Sequence, residues 1–233
     1  MTWLSHPAID EHLVETMNKS IEYFVEATGY RRIIVLATLA VISALLTQFA
    51  TIDPWNILRV TWLHGDELAA PILPGIYFGA ALAVAAYVWK RNSLFTAGII
   101  VVGTAIAWIV AWECAFRTIS HLEEFRKSAT DPLLGAGKPP ITFFLSAGVV
   151  GGFVGGFLTL VGISLAVPEF RTINNWSRTL LVASVAGMLL AIDNNWSPLF
   201  IVWQVAVAAS IALGWSFQET LKVASRSGTK SKR

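Results

Sequence analysis

Four ionisable residues follow one apolar run at helical spacing. Glu113, Arg117, His121 and Glu124 stand at i, i+4, i+8 and i+11, so one helix would carry them on one face. Glu113 ahead of Arg117 is the favourable order for an i,i+4 ion pair. An ionisable group at a membrane boundary is a functional candidate by default, and the chemistry expected here is proton or ion handling. A structural salt bridge at a helix end is the competing reading.

Two similar tetrads offer a second chemistry: His64-Gly65-Asp66-Glu67 and His121-Leu122-Glu123-Glu124. His64, Asp66, His121 and Glu124 supply imidazole and carboxylate, the ligand types of zinc or another divalent metal. A metal-bound water at such a site would support hydrolysis. The spacing matches no metal motif, and solvated loop residues explain it as well. A third grouping is a pocket for a substrate or ion. Gln48, Glu113, Arg117, Asp193, Asn194 and Gln204 all fall towards the expected outer side of their segments. Trp108, Trp112, Trp196 and Trp203 would wall them in. Aromatic walls with a few polar contacts suit a small solute, against ordinary interfacial polarity as the alternative. No catalytic residue is assigned.

Several chemistries are excluded. No lysine lies inside an apolar run, so no covalent retinal is expected. His6, His12, His64 and His121 lie away from the middle of any run, which argues against haem b. Cys114 is the one cysteine, which leaves no Fe–S cluster, intrachain disulfide or cysteine-rich zinc site. P-loop, dinucleotide and Gly-x-Ser-x-Gly motifs are lacking. These exclusions point away from an enzyme.

The elements that must position these residues follow from composition. Of 233 residues, 55% are hydrophobic, 14% are charged and 10 are tryptophan. Soluble domains carry about 25% charge. Mean hydropathy is +0.61. The expected fold is all-α: a polytopic integral membrane bundle of six transmembrane helices occupying residues 31–218. The apolar runs are 33–52, 71–89, 94–112, 141–167, 176–192 and 198–217. Each approaches the roughly 20 residues that cross about 30 Å of hydrocarbon. None alternates as a barrel strand would. The third helix is expected to continue past Trp112 to about residue 127. The fourth run is long enough to tilt or kink. Trp89, Trp112, Trp176, Trp196 and Trp215 sit at run ends, as an aromatic belt would.

Lys and Arg divide 12 to 5 between the two sides if the N-terminus is cytoplasmic, so both termini are expected there. Residues 1–30 are polar and acidic, with no signal peptide. Within them, 8–28 form an amphipathic pattern: Ile9, Leu13, Met17, Ile21, Phe24 and Val25 share a face beside Asp10, Glu11, Glu15, Glu22 and Glu26. Interfacial helices favour basic residues, so a protein partner fits this segment better than lipid. Residues 219–233 read as a basic cytoplasmic tail. A net charge of +2 gives no reason to expect nucleic acid.

Gly148, Gly152 and Gly156 recur every four residues, as do Gly151 and Gly155, and Gly75 with Gly79. Small-xxx-small faces let helices approach closely. They predict packing within the bundle, a homo-oligomer through the Gly148–Gly156 face, or a gate in the fourth helix. Asn-Asn-Trp-Ser occurs at 174–177 and 194–197. The stretch Asn-Asn-Trp-Ser-Pro-Leu-Phe at 194–200 resembles a segment of the tryptophan-rich sensory/translocator family. That family has five spans, and its loop rich in tryptophan and proline has no counterpart here. Interfacial chemistry accounts for the likeness, and no family is assigned.

The sequence thus supports a transporter or channel for a small solute or ion, with a polar site near the outer face between helices 3, 5 and 6. Alternatives are a non-catalytic subunit or assembly factor of a membrane complex, and an outer-facing metal-dependent enzyme.

Overall fold

The computed structural model describes residues 29–48, 59–60, 70–90, 93–129, 140–191 and 200–216. The amphipathic 8–28 segment, the 219–233 tail, His64, Asp66, Asp193, Asn194 and Trp196 lie outside them. The described chain is all-helical. Its helices are α1 (Gly29–Gln48), α2 (Leu73–Lys90), α3 (Leu94–Ala129), α4 (Ile141–Ala166), α5 (Ile173–Gly187) and α6 (Phe200–Ser216). Short 3-10 turns at Pro168–Phe170 and Met188–Ala191 flank α5. Extended backbone among the described residues is limited to one two-residue antiparallel pairing, Arg59 with Pro71 and Val60 with Ala70.

Three helices, α1, α3 and α4, are long and apolar enough to cross a membrane. The shorter α2 and α6 are apolar as well. This is the build of a membrane protein. Its outer surface agrees, because Val41, Ile42, Val84, Val102, Ile106, Phe153, Leu181 and Leu213 are exposed, which suits contact with lipid. α4 is apolar on every face, as a helix surrounded by apolar material must be.

Local sequence explains the helix ends. Pro140 precedes α4, and Pro168 follows it. A residue before proline is pushed out of the α region, and Val167 takes φ −131° and ψ 88° there. α3 runs without interruption for 36 residues, or about 54 Å. It continues through Glu113, Arg117, His121 and Glu124, so their helical spacing is physical.

Glycine contacts show how the helices are ordered. A Cβ on Gly75 would lie 2.7 Å from Ala105 Cα, and one on Gly79 would lie 2.8 Å from Val101 Cα, so α2 and α3 are antiparallel. Ala115 and Ala111 face Gly151 and Gly155, which sets α4 antiparallel to α3. Gly152 faces Ala183 and Gly148 faces Gly187, which does the same for α5 against α4. Thr179 and Ser210 are hydrogen-bonded at 2.9 Å, pairing α5 with α6. Gly29 lies beside Ser216, and Ser43 beside Gln204, so α1 runs antiparallel to α6. At the other flank of α1, the Arg32 guanidinium sits 5.8 Å from the Trp89 ring centre at the end of α2. Direction therefore alternates along the chain. The core between these helices holds Leu36, Phe78, Leu82, Ile100, Leu160, Ile163, Val207, Ile211 and Trp215.

Candidate functional site

A cavity of about 80 Å³ lies between α3, α4 and α6. The α4 wall is almost bare backbone: Gly148, Gly151, Gly152 and Gly155, with Thr159 one turn further on. The facing wall is aromatic, built from Trp108 and Trp112 of α3 and from Phe200 and Trp203 of α6. Phe78 of α2 and Gly187 at the end of α5 complete it. A packed water takes about 30 Å³, and an engineered cavity of about 150 Å³ binds benzene, so this space fits a few heavy atoms.

The aromatic rings hold one another. Trp108 meets Phe200 at 5.1 Å and Trp203 at 6.4 Å between ring centres, and Trp203 meets Phe78 at 5.7 Å. These tilted, edge-on geometries are the favourable ones. The Trp203 indole N–H also donates to the Ala183 carbonyl at 3.1 Å, fixing that ring to α5. Gly155 makes room for it, since a Cβ there would stand 3.3 Å from Trp203 Cζ2.

Polar groups on the cavity wall are few. Thr104 donates to the Ile100 carbonyl of its own helix at 2.7 Å. The Trp108 Nε1 and Thr159 Oγ1 atoms are buried and have no hydrogen-bond partner among the described residues. Thr159 is only 1% exposed. Among the described residues, none that lines the cavity is ionisable.

The cavity gathers Trp108, Trp112 and Trp203 of the pocket read from the sequence, with Gly148 and Gly152; Asp193, Asn194 and Trp196 lie outside the described residues, and Gln204, Glu113 and Arg117 are placed elsewhere. Gln204 is fully buried between α1 and α6, where it ties the two helices together. Ser43 Oγ donates to its Oε1 at 2.7 Å, and its Nε2 donates to Thr47 Oγ1 at 3.3 Å. Thr47 in turn donates to the Ser43 carbonyl at 3.0 Å. Gln48 ends α1 one residue beyond Thr47. Glu113 and Arg117 do not line the cavity. They pair with each other, Arg117 Nε donating to Glu113 Oε1 at 2.6 Å. Gly156 packs on Ala183 of α5, and Gly75 and Gly79 pack on α3.

His121 and Glu124 lie 3.6 Å apart on α3, and both side chains are 76% exposed. Among the described residues, no group of three or more His, Cys, Asp or Glu is placed to hold a metal. Thr159, Phe78 and Phe200 are lining residues that sequence reasoning did not single out. For Thr159 a signal existed: it extends the Gly151–Gly155 spacing by one more turn.

The Glu113–Arg117 pair predicts a modest effect. Partly exposed i,i+4 pairs contribute about 0.5 kcal/mol or less. Glu113→Gln, with Arg117 intact, should therefore leave the thermal midpoint in detergent within about 2 °C, taking about 2–4 °C per kcal/mol for a chain of this size. A larger drop would show that the carboxylate stabilises the fold by more than this pair. Comparison with family models, with curated proteins and with solved structures finds no match to this chain.

Proposed function

We propose that this is a six-span membrane protein with both termini cytoplasmic, which binds a small solute in the cavity between α3, α4 and α6 and carries it across the bilayer. The observation that carries the reading is the cavity itself: a glycine wall facing an aromatic one inside an apolar bundle. The alternating direction of consecutive helices supports six spans. The 12-to-5 division of Lys and Arg supports the orientation. Among the described residues the lining carries no ionisable group, which supports a neutral solute over an ion.

The test is permeation. Proteoliposomes should pass neutral solutes of about three to five heavy atoms, such as urea and acetamide, faster than protein-free vesicles, as read by stopped-flow light scattering. Ala111→Phe, which places a ring into the cavity from α3, should lower that rate at least threefold. Rates equal to those of empty vesicles for every solute would overturn the transport reading.

A second reading, as a subunit of a larger complex, rests on α3. Its length of about 54 Å exceeds the hydrocarbon thickness of about 30 Å, so its charged C-terminal turns stand clear of the bilayer as a contact surface. A stoichiometric partner that is lost on deleting residues 1–30 would favour it.

A further inference from the structure

We infer that a groove on the outer surface, between α3 and α4, holds one acyl chain of an anionic phospholipid. None of its described lining residues borders the solute cavity, so the inference stands apart from the transport reading.

The groove has a volume of about 540 Å³, the size of an ordinary ligand pocket. Its described lining is glycine, valine, isoleucine, leucine and phenylalanine alone, bounded by Phe95 and Ile106 on α3 and by Leu158 and Leu165 on α4. Three glycines shape it. A Cβ on Gly103 would stand 3.2 Å from Gly162 Cα, so the two backbones nearly touch and form the floor. Gly98 adds no side chain, and nothing lies within 4 Å of the Cβ position there. Phe95, Val102, Ile106 and Leu165 are each more than half exposed, as the rims of an open groove are.

Length selects the occupant. From Phe95 to Ile106 the α3 wall rises about 17 Å. That is about one leaflet of a hydrocarbon core about 30 Å thick. A membrane-spanning helix from a second copy or another protein needs a groove of the full depth, whereas an acyl chain needs half. The groove also opens where such a chain begins. Phe95 lies in the first turn of α3 and Leu165 in the last turn of α4, so its mouth is at one membrane surface.

Charge selects the headgroup. Lys90 and Arg91 stand just before α3 in the sequence. The exposed Arg171 donates from Nε to the Ser164 carbonyl at 3.0 Å, which holds its guanidinium to the last turn of α4, one residue from Leu165. Its Nη groups meet no acidic side chain among the described residues and can pair with a phosphate. Basic residues at a membrane surface attract anionic lipid.

The test is native mass spectrometry of the full chain in detergent, titrated with phosphatidylglycerol or with phosphatidylcholine of the same chains. One phosphatidylglycerol should be retained saturably, about threefold or more tightly than phosphatidylcholine. Gly98→Leu, which lays a side chain in the groove where no atom opposes it, should lower that retention about threefold or more at an unchanged thermal midpoint. Gly98→Ala should act in the same direction by less, and carries the comparison should Gly98→Leu not fold. Arg171→Gln should abolish the preference between headgroups. Leu181→Phe, at an exposed position on α5, should change nothing.

Equal retention of the two lipids by wild type, or equal phosphatidylglycerol retention by wild type and the Gly98 variants, would overturn the inference. So would a wild-type dimer that Gly98→Leu abolishes, because a second copy then fills the groove. A loss in Leu181→Phe as large as in Gly98→Leu would do so too, since the lipid then has no fixed seat. Vesicles that fail to transport any solute leave all these outcomes untouched.

Discussion

Alanine at Gly187 or Gly152 should destabilise the protein by about 3 kcal/mol, the upper end of what overpacking a filled interior costs. The reason is backbone against backbone. A Cβ on Gly187 would run into the Gly148 carbonyl oxygen, and would stand 2.9 Å from Gly148 C and 3.2 Å from Gly152 Cα. A Cβ on Gly152 would run into the Ala183 carbonyl oxygen and lie 3.2 Å from Ser184 Cα. Neither obstacle is the end of a flexible side chain, so α4 and α5 must separate.

Gly98→Ala provides the control. Nothing lies within 4 Å of its new Cβ, and helix propensity favours alanine by about 1 kcal/mol. Unfolding of detergent-solubilised protein, followed by tryptophan fluorescence, should rank Gly98→Ala at or above wild type and the other two well below. Gly187 and Gly152 face each other closely enough to share one disturbance, so the double variant should lose less than the sum of the singles. Equal midpoints for all three single variants would show that the α4–α5 contact is looser than described.

Trp203→Ala should cost about 3–5 kcal/mol, the usual price of truncating a buried aromatic. Trp203 is 8% exposed, meets Phe78 at a tilt and Trp108 edge-on, and donates its indole hydrogen to α5. Truncation removes all of these at once and opens the cavity from the α6 side. Xenon uptake per molecule should therefore rise as the melting temperature falls. Trp203→Phe keeps a ring in place and loses only the hydrogen bond, a cost of about 1 kcal/mol. If Trp203→Ala melts with wild type, the residue is not a wall of the core.

How far the sequence reached is clearest in α3 and α6. The continuation of α3 past Trp112 was readable, because Glu113, Arg117, His121 and Glu124 keep a helical spacing after the hydropathy has ended. The helices themselves were readable from the near absence of charge within each run. The role of Gln204 was not. Sequence shows that it is polar and near one end of its run, but not which way it points. Its partner Ser43 lies 161 residues away. The glycine spacing was legible as a close-packing signal. Its partners, Ala183 and Gly187 in the fifth helix, were not: they keep the same four-residue spacing, but a spacing does not say which helix it packs against. The cavity stayed hidden for a related reason: it is space left over when five helices meet, and no residue type encodes a gap.

The bare α4 wall has a mechanical consequence. A surface made of main chain has no rotamers, so it cannot swing aside for a larger guest or close down on a smaller one. Every adjustment must come from the opposite wall, where the indoles of Trp108 and Trp203 brace each other. The upper size of an occupant is therefore set by the spacing of whole helices. A substitution that shifts α4 by a fraction of an ångström, even far from the cavity, should alter which guests are admitted.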